Sequence, residues 1–193
     1  KKRENNEWLF YYITGLALIF GLLKISYSRY FNDVFRVFFR TSLRVNQIRE
    51  QLVQSGLQSL LFNIYFALSF GLYLYLLMGY FKVPVVLNKQ VMLFGISAII
   101  GLLYVGKYLV LQVSGWLFGI ESATKTYSFI VFLINKVIGI VILPFIAIIA
   151  FSGKEIAAVA VTASLAIVTA LFLYRFLRAY APVQAEMKVE RFH

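Results

Sequence analysis

The sequence has no cysteine and only one histidine, His193 at its end. Disulfides, zinc–thiolate sites and cysteine nucleophiles are therefore excluded, and a lone terminal histidine makes neither a catalytic triad nor a metal site. The eight acidic residues are also few, and none falls inside a long apolar run. No glycine-rich phosphate loop and no His-Glu-x-x-His motif occurs. The sequence predicts a protein that is not an enzyme and that holds no cofactor and no metal.

Charged residues are scarce as well. They make up 14% of the 193 residues, whereas hydrophobic residues make up 61% and the mean hydropathy is +0.81. Soluble domains carry about 25% charged and about 45–50% apolar residues, so this composition is typical of a membrane protein. The net charge of +11 would suit nucleic-acid binding. However, the basic residues lie in short segments between apolar runs, as they do in membrane proteins. We therefore expect no nucleic-acid partner.

Five apolar runs reach the length of about 20 residues that a helix needs to cross a bilayer. They lie near residues 8–27, 57–81, 91–111, 127–151 and 156–177. Helix is the form expected, because hydrocarbon offers no partner for an unpaired backbone group. No separate aqueous domain is left over. The sequence predicts one integral membrane domain over residues 1–193, which is an all-α, polytopic transmembrane helical bundle.

The longest polar stretch, between the first two runs, is rich in arginine. Arg36, Arg40 and Arg44 recur every four residues, which places them on one helical face, and phenylalanines occupy much of the opposite face. This pattern predicts an amphipathic interfacial helix near residues 29–55. Its arginines would contact lipid phosphates or the acidic groups of a partner protein. Alternatively, they only fix the topology of the chain.

Lysine and arginine are divided unequally between the two sides of the predicted bundle. Eleven fall on the side of the Arg-rich segment and six on the other. The positive-inside rule therefore places the Arg-rich segment and the end at residue 193 in the cytoplasm, with the N-terminus outside. We expect a multi-pass protein of the bacterial inner (cytoplasmic) membrane.

Two lysines stand inside apolar runs, Lys107 late in the third and Lys136 about nine residues into the fourth. A lysine near the bilayer centre costs about 2.5–3.5 kcal/mol on insertion scales, so it usually has a partner. Since no acidic residue lies in a span, the nearest internal candidate is Glu121, in a connection. Both lysines are candidate binding residues for an anionic lipid headgroup or a partner protein. The alternative is that their long stems carry the ammonium groups to the headgroup region.

Two amides also lie at membrane depth, Asn63 in the second span and Asn135 beside Lys136. Side-chain amides in membranes usually hydrogen-bond across helices, contributing about 0.6–2 kcal/mol each. Helix packing is the expected role of both, and Asn135 joins Lys136 as a candidate binding residue.

Glycine and proline predict where helices touch or bend. Gly101, four residues after Ser97, gives the small-residue spacing that permits close helix contact. Gly139 would let another helix or a headgroup approach closely. Pro144 should kink the fourth span, because its ring removes a backbone donor.

Several short motifs occur together along the chain. They are Gln-Ile-Arg-Glu at 47–50, Lys107-Tyr108, Gly-Trp-Leu-Phe-Gly at 115–119, Asn-Lys-Val-Ile-Gly at 135–139 and Leu143-Pro144. In this combination the chain resembles the domain-of-unknown-function family numbered 4271, integral membrane proteins of Bacteroidetes. The resemblance implies importance for Lys107, Trp116, Asn135, Lys136, Gly139 and Pro144. It also implies a sixth span after residue 193, and it implies no activity.

These observations predict a non-enzymatic subunit or scaffold of a larger cell-envelope assembly, for protein export or polyprenyl-linked glycan assembly. Its partners would be other membrane proteins. The alternative is an anionic-lipid binding or transport protein in which Lys107 and Lys136 bracket a phosphate headgroup. A membrane-embedded transferase is a third hypothesis, and it would need an acidic residue from beyond the present sequence.

Overall fold

The computed structural model describes residues 7–39, 50–52, 54–84 and 88–190, with backbone alone for 181–190. Within these ranges every regular element is a helix. The helices are α1 (Glu7–Ser26), α2 (Ser28–Phe39), α3 (Gly56–Tyr80), α4 (Lys89–Phe118), α5 (Glu121–Val141), α6 (Leu143–Phe151) and α7 (Lys154–Glu190).

Five helical segments are long and apolar enough to cross a membrane, with α5 and α6 together forming the fourth. This confirms the prediction of an all-α bundle with five helical segments that can span a membrane. The α5–α6 segment is the most buried of the five, and α5 packs against α2, α3, α4 and α7. Lys136 therefore belongs to the central helix of the bundle.

The third and fourth spans are longer than predicted. Helix α4 continues to Phe118 instead of ending near 111, and α5 begins at Glu121 instead of near 127. The 30 residues of α4 extend about 45 Å at 1.5 Å per residue, whereas the hydrocarbon core is about 30 Å thick. Hydropathy marks only the apolar part of a helix that continues beyond the bilayer. Gly119, with φ +65°, ends α4 in the left-handed conformation that glycine adopts readily.

Helix α2 corresponds to the first part of the predicted interfacial helix. It buries Tyr30, Val34, Val37 and Phe38 while Arg36 on the opposite face is exposed, so the described part is amphipathic as predicted. Arg40 and Arg44 lie outside the described residues. We call the end of the bundle at which α2 lies, together with the start of α3 and the α4–α5 connection, the basic end.

Side chains of α7 hold the C-terminus of α2. Arg178 donates from its guanidinium to the carbonyl oxygens of Val37 and Phe38. The Tyr174 hydroxyl donates to the same Phe38 oxygen at 3.1 Å. A helix C-terminus has unpaired carbonyls and a partial negative charge, so a cation there contributes about 0.3–1 kcal/mol. These hydrogen bonds from α7 therefore hold helix α2 in place at the basic end of the bundle.

The spans approach closely at two glycines of α3 and α5. A Cβ atom on Gly139 would lie 2.9 Å from Cα of Phe66, and one on Gly71 would lie 2.1 Å from Oγ of Ser97. Gly101 behaves differently, because a Cβ atom there meets nothing within 4 Å. The predicted close contact at Gly101 is therefore wrong. Helices α3 and α4 touch at Gly71 and Ser97, and again through the rings of Phe66 and Tyr104, whose centroids lie 5.2 Å apart.

The fourth span is interrupted at Ile142, which separates α5 from α6. Pro144 lies in the first turn of α6, where its missing N–H removes one hydrogen bond to the preceding turn. The interruption thus falls where the proline breaks the pattern of backbone hydrogen bonds.

We expect Gly139→Ala to lower the free energy of unfolding by about 1–3 kcal/mol, because the added methyl group collides with the backbone of Phe66. The matched control is Gly101→Ala, whose methyl group enters open space. Its stability should be unchanged or slightly raised, since alanine favours helix over glycine. Unfolding by SDS in mixed micelles measures both, and equal effects of the two variants would contradict the assigned helix contact.

Candidate intramembrane binding cavity

A cavity of about 1560 Å³ opens at the basic end between α3, α4 and α5. Ligand pockets usually measure about 300–1,000 Å³, so this one is large. The close approach of Gly71 on α3 to Ser97 on α4 lies farther from the basic end than the cavity does. Residues of α3, α4 and α5 line the cavity.

Lys136 lines the inner part of this cavity and is 6% exposed. Its Nζ donates to Oγ of Ser59 at 2.8 Å and lies 5.6 Å from the centroid of the Tyr30 ring. Both contacts stabilise a cation weakly, the second through the electron-rich face of the ring. No acidic side chain among the described residues forms an ion pair with Lys136. The stem does reach toward the basic end, but the ammonium group stays inside the bundle.

Tyr30 cannot supply the missing negative charge. Burial raises the pKa of its phenol above the ordinary value, and a hydrogen bond with Ser59 offsets only part of that rise. The phenol therefore stays neutral near pH 7. Lys136 thus contacts two neutral hydroxyl-bearing residues within the described structure.

Asn135, the neighbour of Lys136 in the sequence, is 1% exposed and also lines the cavity. Its Oδ1 accepts a hydrogen bond from the Tyr104 hydroxyl of α4 at 3.4 Å, which is a bond across helices. Its Nδ2 is buried and has no partner in the residues described. A buried polar group without a partner costs about 1–3 kcal/mol, so a donor of this kind usually faces water or a ligand.

Tyr104 also has a charged neighbour on α7. The guanidinium of Arg175 interacts electrostatically with Tyr104 and lies 5.0 and 5.1 Å from the ring centroids of Phe172 and Phe176. Arg175 is almost fully buried, and its Nε has no hydrogen-bond partner among the described residues. Polar side chains of α7, α4 and α5 are therefore neighbours, and a hydrogen bond joins Tyr104 to Asn135.

Asn63 of α3 lines the same cavity. Its Oδ1 is buried, and nothing among the described residues donates to it. The predicted bond from this oxygen across helices is therefore not formed. Among the described residues that line the cavity, three buried polar atoms have no hydrogen-bond partner: Nδ2 of Asn135, Oδ1 of Asn63 and Oγ of Ser128.

The remaining sequence candidates lie elsewhere. Lys107 does not line the cavity, and its Nζ stands 5.5 Å from the ring centroid of Tyr127. Lys107 and Lys136 therefore do not line the same cavity. Exposed Arg36 has a carboxylate partner in Asp33, with a 3.6 Å separation between Nη1 and Oδ1.

At the mouth of the cavity, Glu121 pairs with Lys125 at 3.2 Å, one helical turn away. It therefore does not serve as the counter-ion that the sequence suggested for the intramembrane lysines. Exposed pairs of this kind contribute about 0.3–0.5 kcal/mol on a helix.

Sequence reasoning missed Ser59, Tyr30, Tyr104 and Arg175. Hydroxyl and aromatic residues are common in membrane helices, so their presence in a span does not by itself indicate a site. Arg175 enters the sequence prediction only as one of the charges that set the topology. One signal was available, since Gly101, Tyr104, Tyr108 and Gln112 recur at helical spacing and all line the cavity.

A family model described as "Domain of unknown function (DUF4271)" matches residues 9–193, which is nearly the whole chain. This confirms the family resemblance drawn from the short motifs. Among curated proteins and solved structures nothing matches.

We expect Lys136→Met to leave the free energy of unfolding unchanged or to raise it by about 1–4 kcal/mol, because it removes a buried charge and keeps the side-chain volume. Lys107→Met is the control and should change stability little, since Lys107 is only half-buried. Unfolding of both purified variants in the same detergent gives the comparison. A clear loss of stability in Lys136→Met would show that the ammonium group is held by a structural counter-charge.

Proposed function

The chain belongs to the DUF4271 family, and we propose that it is a non-enzymatic membrane protein that binds an anionic group of another membrane component. We place it as a subunit or scaffold of a larger cell-envelope assembly, for protein export or polyprenyl-linked glycan assembly. We further propose that the protein lies in the bacterial inner membrane, with its basic end in the cytoplasm.

The observation that carries the proposal is the environment of Lys136. The side chain is buried in the central helix and lines the cavity; its ammonium group donates to Ser59, lies over the Tyr30 ring and forms no ion pair with a described acidic residue. A cation at membrane depth is costly and is usually paired. An anion from outside the described chain would supply that pair.

A second candidate is a stand-alone protein that binds or transports an anionic lipid. Apolar side chains also line the cavity, among them Leu60, Ile64 and Val105. The presence or absence of companion proteins distinguishes this candidate from the assembly subunit.

Purification of the native protein in mild detergent tests the assembly. We expect companion proteins in near-stoichiometric amounts with the wild-type chain, because the basic groups at the basic end and in the cavity have external partners. Protein and lipid mass spectrometry of one preparation should show less bound anionic component in Lys136→Met than in the control Lys107→Met. A wild-type monomer with no companion would refute the subunit role. A monomer that retains anionic lipid would support the second candidate.

A further inference from the structure

A second, smaller cavity of about 530 Å³ lies beside the cavity of Lys136 at the basic end. It lies where α1 passes into α2 and where α3 begins, and Leu52 and Gln54 line both cavities. Its volume falls within the usual range for ligand pockets, about 300–1,000 Å³. Lys136 does not line it. The smaller cavity is therefore distinct from the site on which the proposed function depends.

The smaller cavity lies at the level of the lipid headgroups. Helix α1 ends at Ser26, and its 20 residues extend about 30 Å, which matches the thickness of the hydrocarbon core. Ser26 lines the cavity, as does Ser28 at the start of the amphipathic helix α2. Ile25 and Leu57, which are next to lining residues in the sequence, have exposed apolar side chains. Acyl chains can therefore contact the protein beside a cavity that takes the headgroup.

Among the described residues that line the smaller cavity, Arg29 is the only one with a basic side chain. It is exposed and forms no ion pair with a described acidic residue. Asp33 also lines the cavity, but its carboxylate pairs with Arg36 at 3.6 Å. The two guanidinium groups and the one carboxylate leave a surplus of positive charge. A ligand with a single negative charge neutralises this surplus, whereas a zwitterion does not.

Uncharged polar side chains form much of the remaining lining. They are the serines Ser26, Ser28 and Ser55 and the glutamines Gln51, Gln54 and Gln58. The side-chain amides of the three glutamines form no hydrogen bond with another described residue. Each amide both donates and accepts hydrogen bonds. A headgroup with several hydroxyls matches this lining.

Position, charge and lining together indicate one class of lipid. An arginine guanidinium binds two oxygens of a phosphate group through parallel hydrogen bonds. A phosphodiester carries a single negative charge near pH 7, which suits the surplus charge of the cavity. We propose that the smaller cavity binds an anionic phospholipid whose phosphodiester is joined to a polyol, as in phosphatidylglycerol. Arg29 pairs with the phosphodiester, and the glutamines bind the hydroxyls. This site goes beyond the proposed function and does not depend on it.

The test uses the purified, delipidated full chain in detergent and follows lipid binding by native mass spectrometry. The probe is dioleoyl phosphatidylglycerol. Two lipids with the same acyl chains serve for comparison: phosphatidylethanolamine, which is a zwitterion, and phosphatidylmethanol, which is a phosphodiester without hydroxyls. We expect phosphatidylethanolamine to bind about tenfold or more weaker than phosphatidylglycerol, and phosphatidylmethanol about threefold or more weaker. Equal binding of phosphatidylglycerol and either comparison lipid would overturn the proposal.

The variant Arg29→Gln tests the charge. It should weaken binding of phosphatidylglycerol by about tenfold or more, since it removes a charge-assisted pair of hydrogen bonds. The matched control is Lys24→Gln, because Lys24 is also exposed near the end of α1 but does not line the smaller cavity. It should leave binding within about twofold of wild type. Both side chains are exposed, so both variants should keep the unfolding midpoint of wild type. Equal losses in the two variants would show general attraction of anionic lipid to the basic end and would overturn the proposal.

Replacement of the three glutamines (Gln51→Met, Gln54→Met and Gln58→Met together) tests the hydroxyls. We expect the preference for phosphatidylglycerol over phosphatidylmethanol to be lost, while binding of phosphatidylmethanol stays the same because Arg29 remains. A preference that persisted at a normal unfolding midpoint would contradict the assigned role of the glutamines and overturn the polyol ligand.

Two further outcomes separate this site from other sources of binding. Soluble glycerophosphoglycerol, the headgroup without acyl chains, should not displace phosphatidylglycerol at equal concentration. Displacement would show that the ligand is the free anion. If Lys136→Met lost phosphatidylglycerol while Arg29→Gln retained it, the lipid would occupy the larger cavity. In that case the present site would fail and the proposed function would stand. Loss in Arg29→Gln without companion proteins in the native preparation would support this site and refute the assembly role.

Discussion

The arrangement of the whole basic end depends on how the ammonium group of Lys136 is accommodated inside the bundle. It lies on the most buried span, where it hydrogen-bonds Ser59, lies over the Tyr30 ring and forms no ion pair with a described acidic residue. Both groups are neutral, so they reduce the cost of burying the charge without cancelling it. An ordinary packed bundle would favour an apolar residue here. The cost of the charge is the strongest reason to regard the cavity beside it as a binding site.

The contacts around Lys136 connect most of the bundle. Tyr30 belongs to α2, and α2 is held in place by Arg178 and Tyr174 of α7. Ser59 belongs to α3, which lies against α5 at Gly139. The position of one ammonium group therefore depends on four helices. The hydrogen bond from Tyr104 to Asn135 adds α4 to this set.

The sequence was sufficient to predict the architecture. The thickness of the bilayer requires each spanning helix to be one long apolar run, which is a strong signal within a single stretch of sequence. Five apolar runs predicted five spanning segments, and the motifs identified the family. The sequence was less informative about features that depend on contacts between distant parts of the chain. Gly101 and Gly139 look alike in the sequence, yet of the two only Gly139 faces another backbone, because α5 packs against α3 at that level while a Cβ atom on Gly101 meets nothing within 4 Å. For the same reason, hydropathy could not show that Lys136 lines a cavity and Lys107 does not.

The arginines of α7 show a further limit of counting charges. Arg175 and Arg178 contribute to the sequence prediction only through topology, but in the structure Arg175 is buried against the rings of Phe172 and Phe176, and Arg178 holds α2. An arginine can both set the topology and make contacts inside the folded bundle, since the positive-inside rule depends on where a charge lies along the chain during insertion. Packing afterwards determines its partners. A cation count therefore carries information on orientation and none on function. What makes Lys136 a functional candidate is its burial beside unpaired amides, which only the folded bundle brings together.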